Sequence, residues 1–225
     1  MTLDHFGELF VGLEPLPLQA RALNLSALTG VHTALPMLDM PIAEFQKDKV
    51  GKSRNFVVIT NEQILNECLE PRQFVWFVDV TSEATPSPVS TWGVPEKSGN
   101  FCDRGGRFGT HASNENVPPM YAKRILFFSH FNAGVRAVDV RDPYHPKEIA
   151  FYIPALTKNS DSRCIKLPDG TERCKTAIQT NNVEVDDRGF IYAVDRANNG
   201  VHILELSGAA RKVANFQAIS AAAKK

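Results

Sequence analysis

The stretch Ile125-Leu-Phe-Phe-Ser-His-Phe-Asn-Ala-Gly-Val-Arg-Ala-Val-Asp-Val140 holds two short apolar runs on either side of Asn132-Ala-Gly134. Asn and Gly favour the backbone of tight turns, so the two runs predict an antiparallel hairpin. A polar residue, His111, precedes the hairpin, and a closing run, Ala150-Phe-Tyr-Ile-Pro154, follows it. With one strand before the hairpin and one after it, the unit predicts a four-stranded antiparallel sheet.

This unit occurs three times in the chain, at 32–92, 111–154 and 182–216. The second strands of the copies align as Phe56-Val-Val-Ile-Thr60, Ile125-Leu-Phe-Phe-Ser129 and Phe190-Ile-Tyr-Ala-Val194. The third strands align as Val75-Trp-Phe-Val-Asp-Val80, Val135-Arg-Ala-Val-Asp-Val140 and Val201-His-Ile-Leu-Glu-Leu206. A sheet with two apolar faces needs a neighbour on each face. The repeat therefore predicts stacked blades of a β-propeller, at 30–95, 107–154 and 176–217.

The N-terminal segment Leu9-Phe-Val-Gly-Leu-Glu-Pro15 resembles the runs that close the other copies, such as Ser90-Thr-Trp-Gly-Val-Pro95. It predicts an orphan outer strand at 9–15. The third copy does not need this strand to complete its sheet, because Arg211-Lys-Val-Ala-Asn-Phe216 is predicted to be its own outer strand. The predicted fold is an all-β propeller segment over 1–218, with three four-stranded blades, the orphan strand and a flexible tail at 219–225. Propellers have about four to eight blades, so we expect the ring to be completed by upstream sequence or by a second chain, either another copy or a partner subunit.

The composition excludes some classes of protein. The chain has 225 residues, of which 43% are hydrophobic, enough for the core of one domain. Its 25 basic and 25 acidic residues cancel, which argues against a general nucleic-acid binder. No apolar run is long enough to span a membrane, and the first 30 residues lack the pattern of a signal peptide. We expect neither a nucleic-acid partner nor a membrane span.

The four cysteines predict disulfide bonds. Pro168-Asp-Gly170 predicts a turn that places Cys164 opposite Cys174. A disulfide there is favoured over a zinc pair or two free thiols, because no His or second Cys pair lies at metal-binding spacing. Cys68 and Cys102 lie in two different insertions that propeller geometry can bring together, and they form a second candidate pair. Disulfides imply an oxidising compartment, so we expect an extracytoplasmic protein, either periplasmic or secreted.

Part of the repeat resembles a known family. The run Phe131-Asn-Ala-Gly-Val-Arg-Ala-Val-Asp-Val-Arg-Asp-Pro143, followed by Pro146-Lys-Glu-Ile149, is similar to the strand and turn unit of bacterial LVIVD-repeat β-propeller proteins. Asn100-Phe-Cys-Asp-Arg-Gly-Gly-Arg-Phe-Gly109 and Gln179-Thr-Asn-Asn-Val-Glu-Val-Asp-Asp-Arg-Gly189 resemble the longer signatures of that family. The resemblance covers residues 30–216 and implies a propeller, often exported, usually with more upstream blades. It implies little about activity.

Three long insertions are predicted to lie on one face of the propeller, at 61–74, 95–110 and 154–180. Long loops on one face of a rigid scaffold are typical of a binding surface. His32, His111 and Asn182 begin the three innermost strands, so we expect them to converge at the channel mouth on this face. His130 and Asn132 follow a second strand and are expected to rim the same mouth.

The converging histidines predict two kinds of site. They can orient a ligand, or they can bind a divalent metal, because imidazoles suit Zn, Cu, Fe or Ni. In the metal interpretation His32, His111 and His130 are the ligands, and Glu62 or Glu115 supplies a carboxylate. In the structural interpretation the histidines simply form hydrogen bonds with backbone and water along the channel.

The segment Arg104-Gly-Gly-Arg107 is a candidate anion cradle, because two guanidiniums can bind a carboxylate or phosphate in a bidentate manner. The alternative is an arginine that pairs with Asp103 or Glu115 and has only a structural role.

The sequence predicts a non-catalytic binding or interaction module that uses its loop-rich face. The alternative is a metal-dependent propeller enzyme, a hydrolase or an oxidoreductase, with histidine ligands in the channel. A third interpretation makes the chain one half of a split propeller whose site is built jointly with a partner. No nucleophile motif such as Gly-x-Ser-x-Gly is present, and no cofactor is predicted apart from the divalent metal of the alternative.

Overall fold

The computed structural model describes residues 2–3, 9–10, 25 and 30–217. Apart from the helix α1 (Gly208–Val213), the regular elements are strands and short 3-10 turns. The strands are β1 (Thr2–Leu3), β2 (Leu9–Phe10), β3 (Gly30–Pro41), β4 (Ser53–Glu62), β5 (Val75–Asp79), β6 (Ser87–Trp92), β7 (Ile125–Ser129), β8 (Val135–Asp139), β9 (Lys147–Tyr152), β10 (Ser162–Lys166), β11 (Glu172–Thr176), β12 (Thr180–Val185), β13 (Ile191–Asp195) and β14 (Gly200–Leu204). The 3-10 turns are Ala43–Phe45, Glu96–Ser98 and Phe101–Arg104.

The first sheet has the order β3-β4-β5-β6, all antiparallel, as the sequence predicts for the first copy of the repeat. Its strand β4 carries six consecutive buried residues from Phe56 to Asn61. Alternate side chains of a strand point to opposite faces, so this pattern requires packing on both faces of the sheet.

The second sheet has the order β7-β8-β9, and its predicted innermost strand is irregular. The segment after His111 runs beside β7, where Ser113 forms a single bridge with Phe128. Asn114 explains the irregularity, because its side-chain Oδ1 accepts the hydrogen bond of the Phe127 N–H at 2.8 Å. A side-chain acceptor thus replaces the backbone carbonyl that a regular strand would offer at this point.

The third sheet has the order β12-β13-β14 and lacks a fourth strand among the described residues. The predicted outer strand at Arg211–Phe216 is wrong, because Gly208–Val213 forms the helix α1. The run Ala209-Ala-Arg-Lys212 has high helix propensity, and Ala210 is buried in the core next to the sheet. Local propensity and one buried contact therefore outweigh the repeat pattern at this position.

The predicted orphan strand is described only at Leu9–Phe10. There it pairs with Thr2–Leu3 rather than with an outer edge of the larger sheets. The rest of the predicted strand at 9–15, and the predicted tail at 219–225, lie outside the described residues.

The sheets stack face to face with one apolar core between each neighbouring pair. Strand β7 shows the arrangement most clearly, because all five of its residues are buried. Leu126 and Phe128 point into the core shared with the first sheet, whereas Ile125 and Phe127 point into the core shared with the third. This alternation confirms that the repeat units pack as layers, with the middle sheet buried on both faces.

The two outward faces of the stack differ. On the first sheet, Val57, Ile59 and Val78 are buried, and Leu25 packs against them. On the third sheet, Val201 and Ile203 of β14 are 61% and 64% exposed. Among the described residues no helix is long and apolar enough to cross a membrane.

Candidate functional site

Both predicted disulfides are present, joining Cys68 to Cys102 and Cys164 to Cys174. The first joins the insertion that follows β4 to the insertion that follows β6. The second joins the two strands of the hairpin formed by β10 and β11, within the third insertion. The cysteines therefore brace the same three loops that the sequence predicts to form one face.

Contacts between the insertions lock them together. The carboxylate of Glu67 is almost fully buried and pairs with Arg173 and, at 3.3 Å, with Lys175 from the cystine hairpin. The Asn66 side chain donates a hydrogen bond to the Cys164 carbonyl at 3.0 Å. These bonds join segments about a hundred positions apart in the chain. Together with the Cys68–Cys102 disulfide they cross-link all three insertions.

His111 lies beneath this face and is buried. Its Nδ1 is 2.6 Å from the backbone carbonyl of Asn181, which can only accept a hydrogen bond, so Nδ1 carries the proton. Burial, followed by the charge of His32, lowers the pKa of His111 to about 4. At neutral pH the ring is therefore neutral, and Nε2 has a free lone pair.

His32 and Glu62 lie next to that lone pair. The ring centroids of His32 and His111 are 4.0 Å apart, and His111 Nε2 is 3.6 Å from the Glu62 Oε1 atom. One nitrogen from each histidine and one oxygen of Glu62 all lie within 4.8 Å of one another. The sequence predicted that His32 and His111 converge together with Asn182, and it offered Glu62 as one of two acidic neighbours. We call these three residues the His-Glu cluster.

Two arginines adjoin the His-Glu cluster. Arg107 forms an ion pair with Glu62 at 2.7 Å, and Arg196 approaches the same oxygen at 3.9 Å. Both guanidiniums lie over the ring of Phe131, with centroid distances of 5.3 and 4.9 Å. Burial, and next the positive charge of Arg107, lowers the pKa of Arg196 from its ordinary value.

A cavity of about 360 Å³ opens beside these arginines. We call it the arginine pocket, and it is lined by Ile64, Asn66, Arg107, Arg163, Gln179 and Arg196. The Arg163 guanidinium donates to the Arg196 carbonyl at 3.0 Å and lies 3.9 Å from Asp161. Three guanidiniums thus line one cavity, and the nearest carboxylates are Glu62 and Asp161.

A larger cavity of about 590 Å³ lies elsewhere, lined in part by Asp139, Arg141, Asp142 and His145. Four of its charged groups are paired with one another, Arg141 with Asp139 at 2.6 Å and His145 with Asp142 at 2.9 Å. Lys123, Arg124 and Lys147 also line it. The paired side chains hold the turn after β8.

His130 and Asn132 do not reach the His-Glu cluster. His130 is fully buried against Phe108, and its Nε2 accepts the N–H of Val94 at 3.4 Å. Burial, followed by the charge of Arg136, lowers its pKa to about 3. Asn132 is also buried and donates to the carbonyls of residues 101 and 105 at 2.8 and 2.9 Å. Both residues therefore support the loops from below.

Glu115 and Asn182 lie near the mouth but outside the cluster. Glu115 lines a cavity of about 310 Å³ together with His32. Asn182 is exposed, and its side-chain oxygen accepts a hydrogen bond from Asn181. The carbonyl that fixes His111 thus belongs to Asn181, one position before the predicted residue.

The two arginines of the predicted anion cradle diverge. Arg104 is exposed and stacks on Phe101 at 4.7 Å, whereas Arg107 turns toward Glu62. The glycines between them serve packing, because a Cβ at position 106 would lie 2.3 Å from the side chain of Gln179. This close approach lets the Gln179 oxygen accept the N–H of Arg107 at 3.1 Å.

Sequence reasoning missed Arg163, Gln179 and Arg196, which complete the arginine pocket. Arg163 directly precedes Cys164, so the predicted disulfide was a signal that its position would be fixed. Arg196 directly follows β13 and carried no such signal, because its role depends on the packing of the third sheet against Phe131.

No protein-family model matches the sequence, and a comparison with curated proteins finds no match. The resemblance to LVIVD-repeat proteins therefore stays a prediction from the quoted residues.

Proposed function

We propose that this protein is a non-catalytic binding module that takes a small anion, a carboxylate or a phosphate compound, in the arginine pocket. The observation that carries the proposal is the convergence of Arg107, Arg163 and Arg196 on one cavity. Guanidinium groups bind such anions through paired, charge-assisted hydrogen bonds.

The balance of charge in the pocket supports an anionic ligand. Glu62 pairs closely with Arg107, but Arg196 and Arg163 lie 3.9 Å from their nearest carboxylates. At that distance the attraction is electrostatic, without a direct hydrogen bond. Two guanidiniums therefore keep donors available for a ligand.

The pocket is also preorganised. Arg163 is adjacent to a disulfide, Arg107 and Arg196 stack on Phe131, and Gln179 holds the backbone of Arg107. Fixing these side chains before binding reduces the conformational entropy that the ligand would otherwise have to offset.

The setting of the module is part of the proposal. The two disulfides support an extracytoplasmic location. Among the described residues no strand pairs with the outer edge of β14, and Val201 and Ile203 are exposed. Both features support a second chain that completes the stack of blades. The resemblance to LVIVD-repeat proteins, which are often exported, agrees with the proposed location.

The experiment is calorimetric titration of the untagged protein with citrate and with inorganic phosphate, at low ionic strength. Arg196→Gln and Arg163→Gln should each weaken binding about tenfold or more, because a hydrogen bond to a charged group contributes about 1.5–3 kcal/mol. Arg188→Gln is the matched control, since Arg188 is 70% exposed and paired with Asp186. Equal losses in all three variants would indicate nonspecific attraction and refute the proposal.

A further inference from the structure

We infer that His32, Glu62 and His111 form a binding site for a divalent transition metal of the Zn²⁺ or Fe²⁺ type. The inference does not rest on the proposed anion binding. It assigns the His-Glu cluster a role of its own, next to the arginine pocket.

The spacing of the donor atoms fits a metal. Zinc lies about 2.0–2.2 Å from imidazole and carboxylate ligands, which places neighbouring ligand atoms about 3–4 Å apart. The His111 Nε2 and Glu62 Oε1 atoms are 3.6 Å apart, and the ligand atoms of the whole cluster lie within 4.8 Å. A small movement of the exposed His32 ring can therefore close the site.

The hydrogen bond behind His111 is the arrangement that metal-ligating histidines use. The backbone carbonyl of Asn181 accepts a hydrogen bond from Nδ1–H, which fixes the tautomer and leaves Nε2, on the other side of the ring, as the ligand atom. The His111 Nε2 atom lies 3.6 Å from Glu62 Oε1, so a cation placed between these two atoms can bind both.

Ligand chemistry narrows the class of metal. Two imidazoles and one carboxylate suit Zn²⁺ and the later first-row metals, whereas Ca²⁺ and Mg²⁺ prefer oxygen ligands alone. The other group of potential ligands among the described residues contains Cys164 and Cys174, whose sulfurs are joined in a disulfide. It does not compete for the metal.

The neighbouring arginines affect the affinity. Arg107 and Arg196 both lie close to Glu62 and repel a cation at the cluster. Because three protein ligands leave coordination positions open, an anion from solvent can complete the coordination and balance the charge. Occupancy by a metal would also be the first requirement of the metal-dependent enzyme that the sequence offers as an alternative.

The test is titration of chelator-free, untagged protein with Co²⁺, followed by visible absorption, and then competition with Zn²⁺. We expect one Co²⁺ per chain. His32→Ala and Glu62→Gln should each weaken Co²⁺ binding by at least about 10–100-fold. Losing even a residue that only supports a metal ligand has an effect of that size. His32 is exposed, so its variant is expected to fold even if a variant of His111 does not.

His145→Ala is the matched control. His145 also pairs with a carboxylate, Asp142 at 2.9 Å, but it lies on the surface away from the cluster. An unchanged Co²⁺ affinity in this variant, with a loss in the other two, supports the site. The absence of stoichiometric binding, or equal affinities in all the variants, would overturn it. His32 does not line the arginine pocket, so the His32→Ala protein should bind citrate as the wild type does. This measurement distinguishes failure of the metal inference from failure of the anion proposal.

Discussion

His111 donates its Nδ1 proton to the carbonyl of Asn181 across a distance of 2.6 Å, and this bond joins the innermost segments of the second and third sheets. The same carbonyl also accepts a hydrogen bond from the hydroxyl of Ser129, a residue of the second sheet. If His111 is replaced, the Asn181 carbonyl therefore still has a hydrogen-bond donor, the Ser129 hydroxyl.

We expect His111→Ala to lower the free energy of unfolding by about 2–3 kcal/mol, because one hydrogen bond and the ring contacts with His32 and Phe131 are lost while the Asn181 carbonyl stays bonded. Phe128→Ala provides the comparison. Phe128 is fully buried and stacks on Trp92 at 5.4 Å, so its truncation should cost about 3–5 kcal/mol. Urea denaturation measures both values. A loss for His111→Ala as large as that for Phe128→Ala would assign the histidine a structural role.

His130 should make the protein less stable in acid. Its pKa is lowered to about 3 in the folded protein, whereas the unfolded chain has the ordinary value near 6.5. Below about pH 6.5 the unfolded state therefore binds a proton that the folded state does not, and stability falls as pH falls toward 3. The contribution is roughly 1.4 kcal/mol per pH unit.

The measurement is the free energy of unfolding of wild type and His130→Gln between pH 7 and pH 4. Glutamine keeps an acceptor for the Val94 N–H but does not titrate, so the variant should show a shallower dependence, by about one proton. His145→Gln is the control, because His145 is 84% exposed. Parallel curves for wild type and His130→Gln would contradict the prediction.

Gly134 lies in the turn between β7 and β8, and Gly170, in the turn between β10 and β11, provides the comparison. Both have positive φ, +78° and +85°, so alanine costs about 1–2 kcal/mol at either position. A Cβ at Gly134 would also lie 2.1 Å from the Tyr152 carbonyl oxygen, whereas Gly170 has open space. We expect Gly134→Ala to lose about 1–3 kcal/mol more than Gly170→Ala in thermal or chemical unfolding. Equal losses would mean that the strand β9 can move away at little cost.

The repeat predicted most of the fold because its signal was local. The turn at Asn132-Ala-Gly134 and the continuous apolar run of β7 are both local features of the sequence. The hairpin and the fully buried strand that they predict are both present. The outer strand of the third sheet was not predictable in this way. Strand and helix compete at 208–213, and the burial of Ala210 contributes to the outcome.

The candidate site was predictable in part for the same reason. His32 and His111 occupy equivalent places in the repeat, which predicted that they would meet. His130 follows β7 as expected, but its side chain turns into the core beside Phe108. Arg196 reaches the mouth only because the third sheet packs beside Phe131. The two residues are far apart in the sequence, and no motif predicts their contact.

The cystine hairpin should stabilise the arginine pocket more than the sheets. Cys164 and Cys174 enclose a short loop, with a sequence separation of 10, and their removal should cost about 2–4 kcal/mol in opening of the hairpin. In the double variant Cys164→Ser and Cys174→Ser, amide exchange should accelerate in β10 and β11 while β7 stays protected, because β7 is buried between two sheets. Citrate affinity should fall as well, since Arg163 is adjacent to Cys164. Replacing Cys68 and Cys102 by serine tests the other disulfide in the same way. If removal of the Cys164–Cys174 disulfide alone also reduced the protection of β7, its effect would not be confined to the hairpin.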